Sequence, residues 1–274
     1  MSATAQRLKV GAWFVCLWLA WALIQGPYIV MRGLGDDLWT GRDVEALERA
    51  LFVGHVPTRL LQESIYAADT PWLDYISFLA HGFWFGIPWA FGLLLMLYQR
   101  ERLLEFMGWQ IALFYLCALW FLFLPVRPPW MEPGIDRVLM VRNYGGYVDI
   151  DNNPMAAFPS LHAALPAMTA IFFFTRCVPR LRFYGWLAAG FTVVISFAIV
   201  YMGEHWVIDV LGGYAMALLT ARLFTSRSIR RLCSAVPFDP VGRLAAMNQQ
   251  ICRRAGLAGD PAPLSLPEPV REAA

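Results

Sequence analysis

Long, nearly uncharged runs dominate the chain. Six stretches are mostly apolar, at roughly 10–31, 72–98, 104–124, 158–178, 183–203 and 205–224, and about 20 such residues let a helix cross the hydrocarbon of a bilayer. The pattern predicts an all-α integral membrane protein, a bundle of six transmembrane helices. Residues 32–71 read differently. There Val44, Leu47 and Leu51 alternate with Glu45, Glu48 and Arg49 at helical spacing, which suits either a helix lying on the membrane surface or a cap over the outer face. Past about residue 257 the chain is Pro-rich and aperiodic, which predicts disorder. The expected organisation is an N-terminus and first membrane helix at 1–31, an interfacial or capping segment at 32–71, a five-helix core at 72–224, and a basic, then Pro-rich tail at 225–274.

Composition agrees: the 274 residues are 58% hydrophobic and only 15% charged, against about a quarter charged in soluble domains. Arg7 and Lys9 precede the first apolar run as they would in a secretory signal. That run is long enough to span and has no clean small-residue cleavage site after it, so it reads as a retained helix. The net charge of +2 gives no reason to expect a nucleic-acid partner. Arginine far outnumbers lysine, whose one copy is Lys9; this bias points to a GC-rich, bacterial genome. The cysteines Cys16, Cys117, Cys177, Cys233 and Cys252 have neither disulfide-framework nor metal-ligand spacing. Most of the 22 basic residues fall in the N-terminal tail, the 99–103 and 176–182 turns and the C-terminal tail if both termini are cytoplasmic, as the positive-inside rule requires. The basic stretch 227–254 is either such an anchor or a surface for anionic headgroups.

That orientation puts three clusters at the outer face, where a bacterial inner-membrane protein meets the periplasm or exterior. They are Arg127-Pro128-Pro129, Phe158-Pro159-Ser160-Leu161-His162, and Gly203-Glu204-His205 followed by Asp209. Ionisable groups at membrane depth are costly and mark function. His205 and Asp209, four apart at a helix start, share one face. A carboxylate on one imidazole nitrogen leaves the other free to attack, although such a pair can also simply join two helices. Ser160 begins a helix whose backbone N–H groups favour anions, with His162 placed as a general acid. The Arg127 guanidinium suits phosphate oxygens.

In this order on six helices, Arg127-Pro128, Pro159-Ser160-Leu161-His162 and His205-x3-Asp209 resemble the type 2 phosphatidic acid phosphatase superfamily, over roughly residues 72–224. The resemblance implies that His205 attacks phosphorus to form a phosphohistidine and that Asp209 orients it. It further implies that His162 protonates the leaving oxygen while Arg127 and Ser160 hold the phosphate, with no metal or other cofactor. Two cations of the family pattern are missing. Trp120 stands seven residues before Arg127 where a Lys is usual, and Ile199 six before His205 where an Arg is usual. With Asn152-Asn153-Pro154 and Gly203-Glu204-His205-Trp206, these departures resemble the inositolphosphotransferase branch, which includes inositol phosphorylceramide synthases.

Replacement phosphate donors are sought in the loop before the fourth helix, at Arg142, Asn143 and Asn153, each of which could equally be a solvated loop residue. His81 reads as a core histidine with the site in reach, His55 as loop, and Glu204 as either a tuner of His205 or a helix start. The expected function is hydrolysis of a membrane lipid phosphate or diphosphate. The alternatives are transfer of a phospho-headgroup to a lipid alcohol acceptor, and non-catalytic binding or transport of a lipid phosphate.

Overall fold

A computed structural model describes residues 3–66, 71–142, 155–226 and residue 250. Among these the protein is helical, with isolated backbone bridges and no β-sheet. Helix α1 spans Ala3–Leu38, α2 Glu45–Leu51 and α3 Pro57–Leu61, which runs into a π-helical turn at Gln62–Tyr66. The rest are α4 Pro71–Phe83, α5 Ile87–Tyr98, α6 Leu103–Phe123, α7 Val138–Val141, α8 Leu161–Arg176, α9 Arg182–Tyr201 and α10 Val207–Thr225.

Five helical stretches are long and apolar enough to cross a membrane: Gly11–Leu38, Pro71–Tyr98, Arg100–Phe123, Pro179–Tyr201 and Val207–Thr225. These correspond to the first, second, third, fifth and sixth expected runs. The protein therefore has the character of an integral membrane protein. The fourth run gives α8, which is shorter than expected at 16 residues. At 1.5 Å per residue it rises about 24 Å, against about 30 Å of hydrocarbon. Its length is set locally. The Ser160 hydroxyl accepts the Ala163 N–H and caps the start, while Pro179 follows shortly after the end and cannot continue the ladder.

Helix α8 is the buried centre of the bundle. Ala163, Ala164, Leu165, Met168, Phe172 and Phe173 are fully covered, packed among α6, α9 and α10 with Phe106 and Trp109 against Phe172. The outward faces carry Leu23 and Val30 on α1, Phe123 on α6, Trp186 and Val193 on α9 and Leu218 on α10, all exposed, as lipid-facing positions should be. Close packing of α10 on α8 needs a glycine: a Cβ at Gly213 would collide with the Ser160 carbonyl oxygen.

The 32–71 stretch is not separate from this bundle. The first helix continues through it to Leu38, and Gly35 lies against the Phe121 backbone of α6. Arg42 then bridges to Val126, which bridges in turn to Ala156, so the loops before and after two of the sequence clusters are stitched side by side. Gln62 reaches the other side, donating to the carbonyls of Asp136 and Tyr201 and accepting the Asp136 N–H.

Candidate active site

The starts of α8 and α10 meet at one end of the bundle. The Ser160 N–H donates to the Asp209 carbonyl at 2.9 Å, fixing the register of the two helices. Just before α10 the chain turns sharply through Gly203, at φ +81°. The left-handed backbone favours glycine, and a side chain there would also run into the Asp136 carbonyl. Glu204 and His205 both donate their N–H groups to Ile199, and the Asp209 carboxylate accepts the Trp206 N–H at 2.8 Å. The turn is thus closed before His205 is presented.

Three of the chain's four histidines converge here. His162 Nδ1 lies 3.1 Å from His205 Nε2. Behind it, His205 Nδ1 faces Asp209 Oδ2 at 3.5 Å, longer than a closed hydrogen bond, as such pairs often are before substrate tightens them. The ring of His81, from α4, stacks on His162 with centroids 4.4 Å apart, and Trp84 covers His162 at 4.7 Å while donating Nε1–H to the Leu161 carbonyl. His205 and His81 are buried and Asp209 fully so. A proton assigned to His205 Nδ1, toward the carboxylate, leaves Nε2 with its lone pair, and His162 must then be the Nδ1–H donor. The arrangement offers a nucleophilic nitrogen and a proton donor facing one another.

The structure places the other expected residues less uniformly. Ser160 is fully buried at the same helix junction. Arg127 is anchored beside it, since Trp206 Nε1–H donates to its carbonyl at 2.7 Å, but its guanidinium pairs with Glu132 at 2.8 Å and faces Asp43 at 3.7 Å. Arg142 donates from Nε to the buried Asp74 at 2.6 Å and lies over the Tyr66 ring. Asn143 and Asn153 fall outside the described residues.

Three further residues contribute, of which Arg137 and Glu48 were not singled out as site residues from sequence. His81, read from sequence as a core histidine with the site in reach, is buried and belongs to the histidine stack. Arg137 grips Glu204 with Nε at 2.7 Å and Nη2 at 3.0 Å. Glu48 of α2 has no exposed surface, and its carboxylate accepts the N–H groups of Val207 and Ile208 at 3.0 and 3.2 Å. It fills the positive end of α10, an anion site that every helix start provides. Burial raises its pKa; the two N–H bonds oppose that shift and nearby Asp209 adds to it. The signal for His81 was present, an ionisable group inside an apolar run. Arg137 and Glu48 meet the site only through tertiary contacts. No group of three His, Cys, Asp or Glu side chains among the described residues is arranged to hold a metal ion.

Residues 42–223 match the family model for the PAP2 superfamily. The chain belongs to that superfamily. Its members are typically phosphatases, so PAP2 membership supports a phosphatase-type function on lipid phosphates. Comparisons with curated proteins and with solved structures give no match. The PAP2 match begins at residue 42 and so takes in Glu48, which caps the start of α10, as well as the three motif clusters.

Proposed function

We propose that this PAP2 protein hydrolyses a membrane lipid phosphate or diphosphate through a phosphohistidine on His205. The observation that carries the reading is the 3.1 Å approach of His162 Nδ1 to His205 Nε2, with Asp209 on the far nitrogen of the same ring. In this scheme the phosphoryl group enters between the two rings. His205 Nε2 forms a bond to phosphorus as the bond from phosphorus to the lipid oxygen breaks, and His162 gives its Nδ1 proton to that oxygen. Asp209 stabilises the imidazolium that results. His162, now a base, takes a proton from water, whose oxygen displaces His205 and releases inorganic phosphate. Ser160 and Arg127 serve as phosphate ligands in this reading, with Arg142 and Asn153 as further candidates.

The membrane arrangement we infer has six spans, α4 and α5 forming one and the short α8 another. Both termini then lie on the cytoplasmic side of what the arginine bias makes a bacterial inner membrane, with the histidines toward the periplasm. In support, Arg176 and Arg222 lie at the ends of α8 and α10 away from the histidines, where positive charge marks the inner side. Segment 32–71 acts as a cap, supported by the bonds of Glu48 and Gln62 to the α10 end of the core.

Phosphate release by the purified protein tests the reading, on phosphatidate, polyprenyl diphosphate and phosphatidylinositol, in EDTA, with and without a lipid alcohol. Free phosphate that persists in EDTA and vanishes in His205→Ala is the expected result. A phosphorylated alcohol with little free phosphate would mean transfer, as in the inositolphosphotransferase branch. Lipid binding without turnover would leave a carrier or scaffold, and residual activity in His205→Ala would sink the nucleophile assignment.

A further inference from the structure

A phosphoryl group between His205 and His162 brings a charge of about −1.5 to −2 into a buried place already crowded with carboxylates. Asp209 lies behind His205, Glu204 precedes it, and Glu48 occupies the start of α10. Such a charge needs cations close by. Two positions where the family carries cations hold Trp120 and Ile199, which leaves Arg127, paired with Glu132 on a side chain 37% exposed, as the motif cation that remains.

A further guanidinium is tied to the turn that carries His205. Arg137 is 9% exposed and lies against Glu204, itself 8% exposed, the residue before His205. The loop that carries it is tied to the same turn: Val138 N–H donates to the Met202 carbonyl and Trp130 N–H to that of Gly203. The Arg137 guanidinium is stacked over the Trp130 ring at 4.8 Å.

We propose that Arg137 completes the phosphate clamp of this protein on the nucleophile side, in place of the motif cations it lacks. The inference rests on the phosphohydrolase reading above. In it Glu204 is a positioning residue: its carboxylate engages Nε and Nη2 of Arg137 and so fixes the plane of the five-donor fork.

Orthovanadate and inorganic phosphate are the probes, with binding measured by calorimetry on full-length protein in detergent, so that the result does not depend on turnover. Arg137→Gln should weaken vanadate binding roughly ten- to a hundred-fold, the loss expected of a charge-assisted bond, and raise KM more than it lowers kcat. Arg137→Lys should recover part of the binding. The double variant R137Q/E204Q removes both members of the ion pair and guards against misfolding; it should melt near the wild-type temperature and still bind vanadate weakly. Wild-type vanadate affinity and KM in these variants, with turnover still dependent on His205, would overturn the clamp and leave the phosphatase reading standing. A wild-type protein that neither binds vanadate nor releases phosphate would overturn both.

Discussion

His162 sits in contact with two other imidazoles, hydrogen-bonded to one and stacked on the other. In the proposed reaction its proton is the one the leaving oxygen needs. His162→Gln should therefore slow lipid phosphate hydrolysis by about 10² to 10⁴, but much less with p-nitrophenyl phosphate, whose leaving group departs without a proton. Equal losses on both substrates would deny His162 the acid role. Glu48 makes a prediction about stability. Burial raises its pKa in the folded protein above the ordinary 4.5, so the native state holds this proton more tightly than the unfolded chain does. The resulting stability is full below the unfolded value and is lost as pH rises through the folded one. Thermal melts of Glu48→Gln should fall less over that rise than wild type does; parallel curves would mean that Glu48 does not carry the dependence. His205, Asp209 and His162 were legible because a four-residue spacing and a helix start fix which side chains share a face. Arg137 and Glu48 were not, because only the folded loops bring a residue 67 positions from Glu204, or 159 from Val207, to the same turn.

At the level of elements, the apolar runs located the helices well. Expected limits of 104–124, 183–203 and 205–224 became Leu103–Phe123, Arg182–Tyr201 and Val207–Thr225. Hydropathy was blind to two features. It ended the first helix where charge begins, whereas packing of Gly35 on Phe121 carries α1 on past Asp36 and Asp37 to Leu38. It also ran the second span straight through Trp84–Gly86, where the helix tightens to a 3₁₀ turn. Pro88 lies in the first turn of α5, a position where its missing N–H costs nothing, and Gly86-Ile87-Pro88 was a readable sign of that restart. The contact of α10 with α8 gives a third prediction. Gly213→Val places methyl groups on the Ser160 carbonyl and should cost about 1–3 kcal/mol, as overpacking does, seen as a lower melting temperature. Because the same contact sets the spacing of His162 and His205, turnover at permissive temperature should fall as well. Unchanged melting and activity would show that the two helices adjust independently.

Across the whole molecule, the clustered histidines come from α4, α8 and the turn before α10, while α1, α2 and the 125–138 loop supply their buttresses. The stitched loops at Arg42, Val126 and Ala156 couple the first 42 residues to the core, so the first helix belongs to the working unit rather than to a detachable anchor. The short α8 has a consequence for the surrounding bilayer. If its inner end is held at one interface, its outer end, with the histidines, lies several ångströms beneath the other. A lipid phosphate must either sink to reach them or find the membrane already thinned. Hydrophobic mismatch of this kind costs a fraction of a kcal/mol per ångström. Reconstituted in lipids of increasing acyl length at constant headgroup and protein density, the protein should turn over its substrate progressively more slowly. A flat response would mean that the cap lowers the headgroup unaided; a falling one would make the enzyme a gauge of membrane thickness, most active where the bilayer is thinnest.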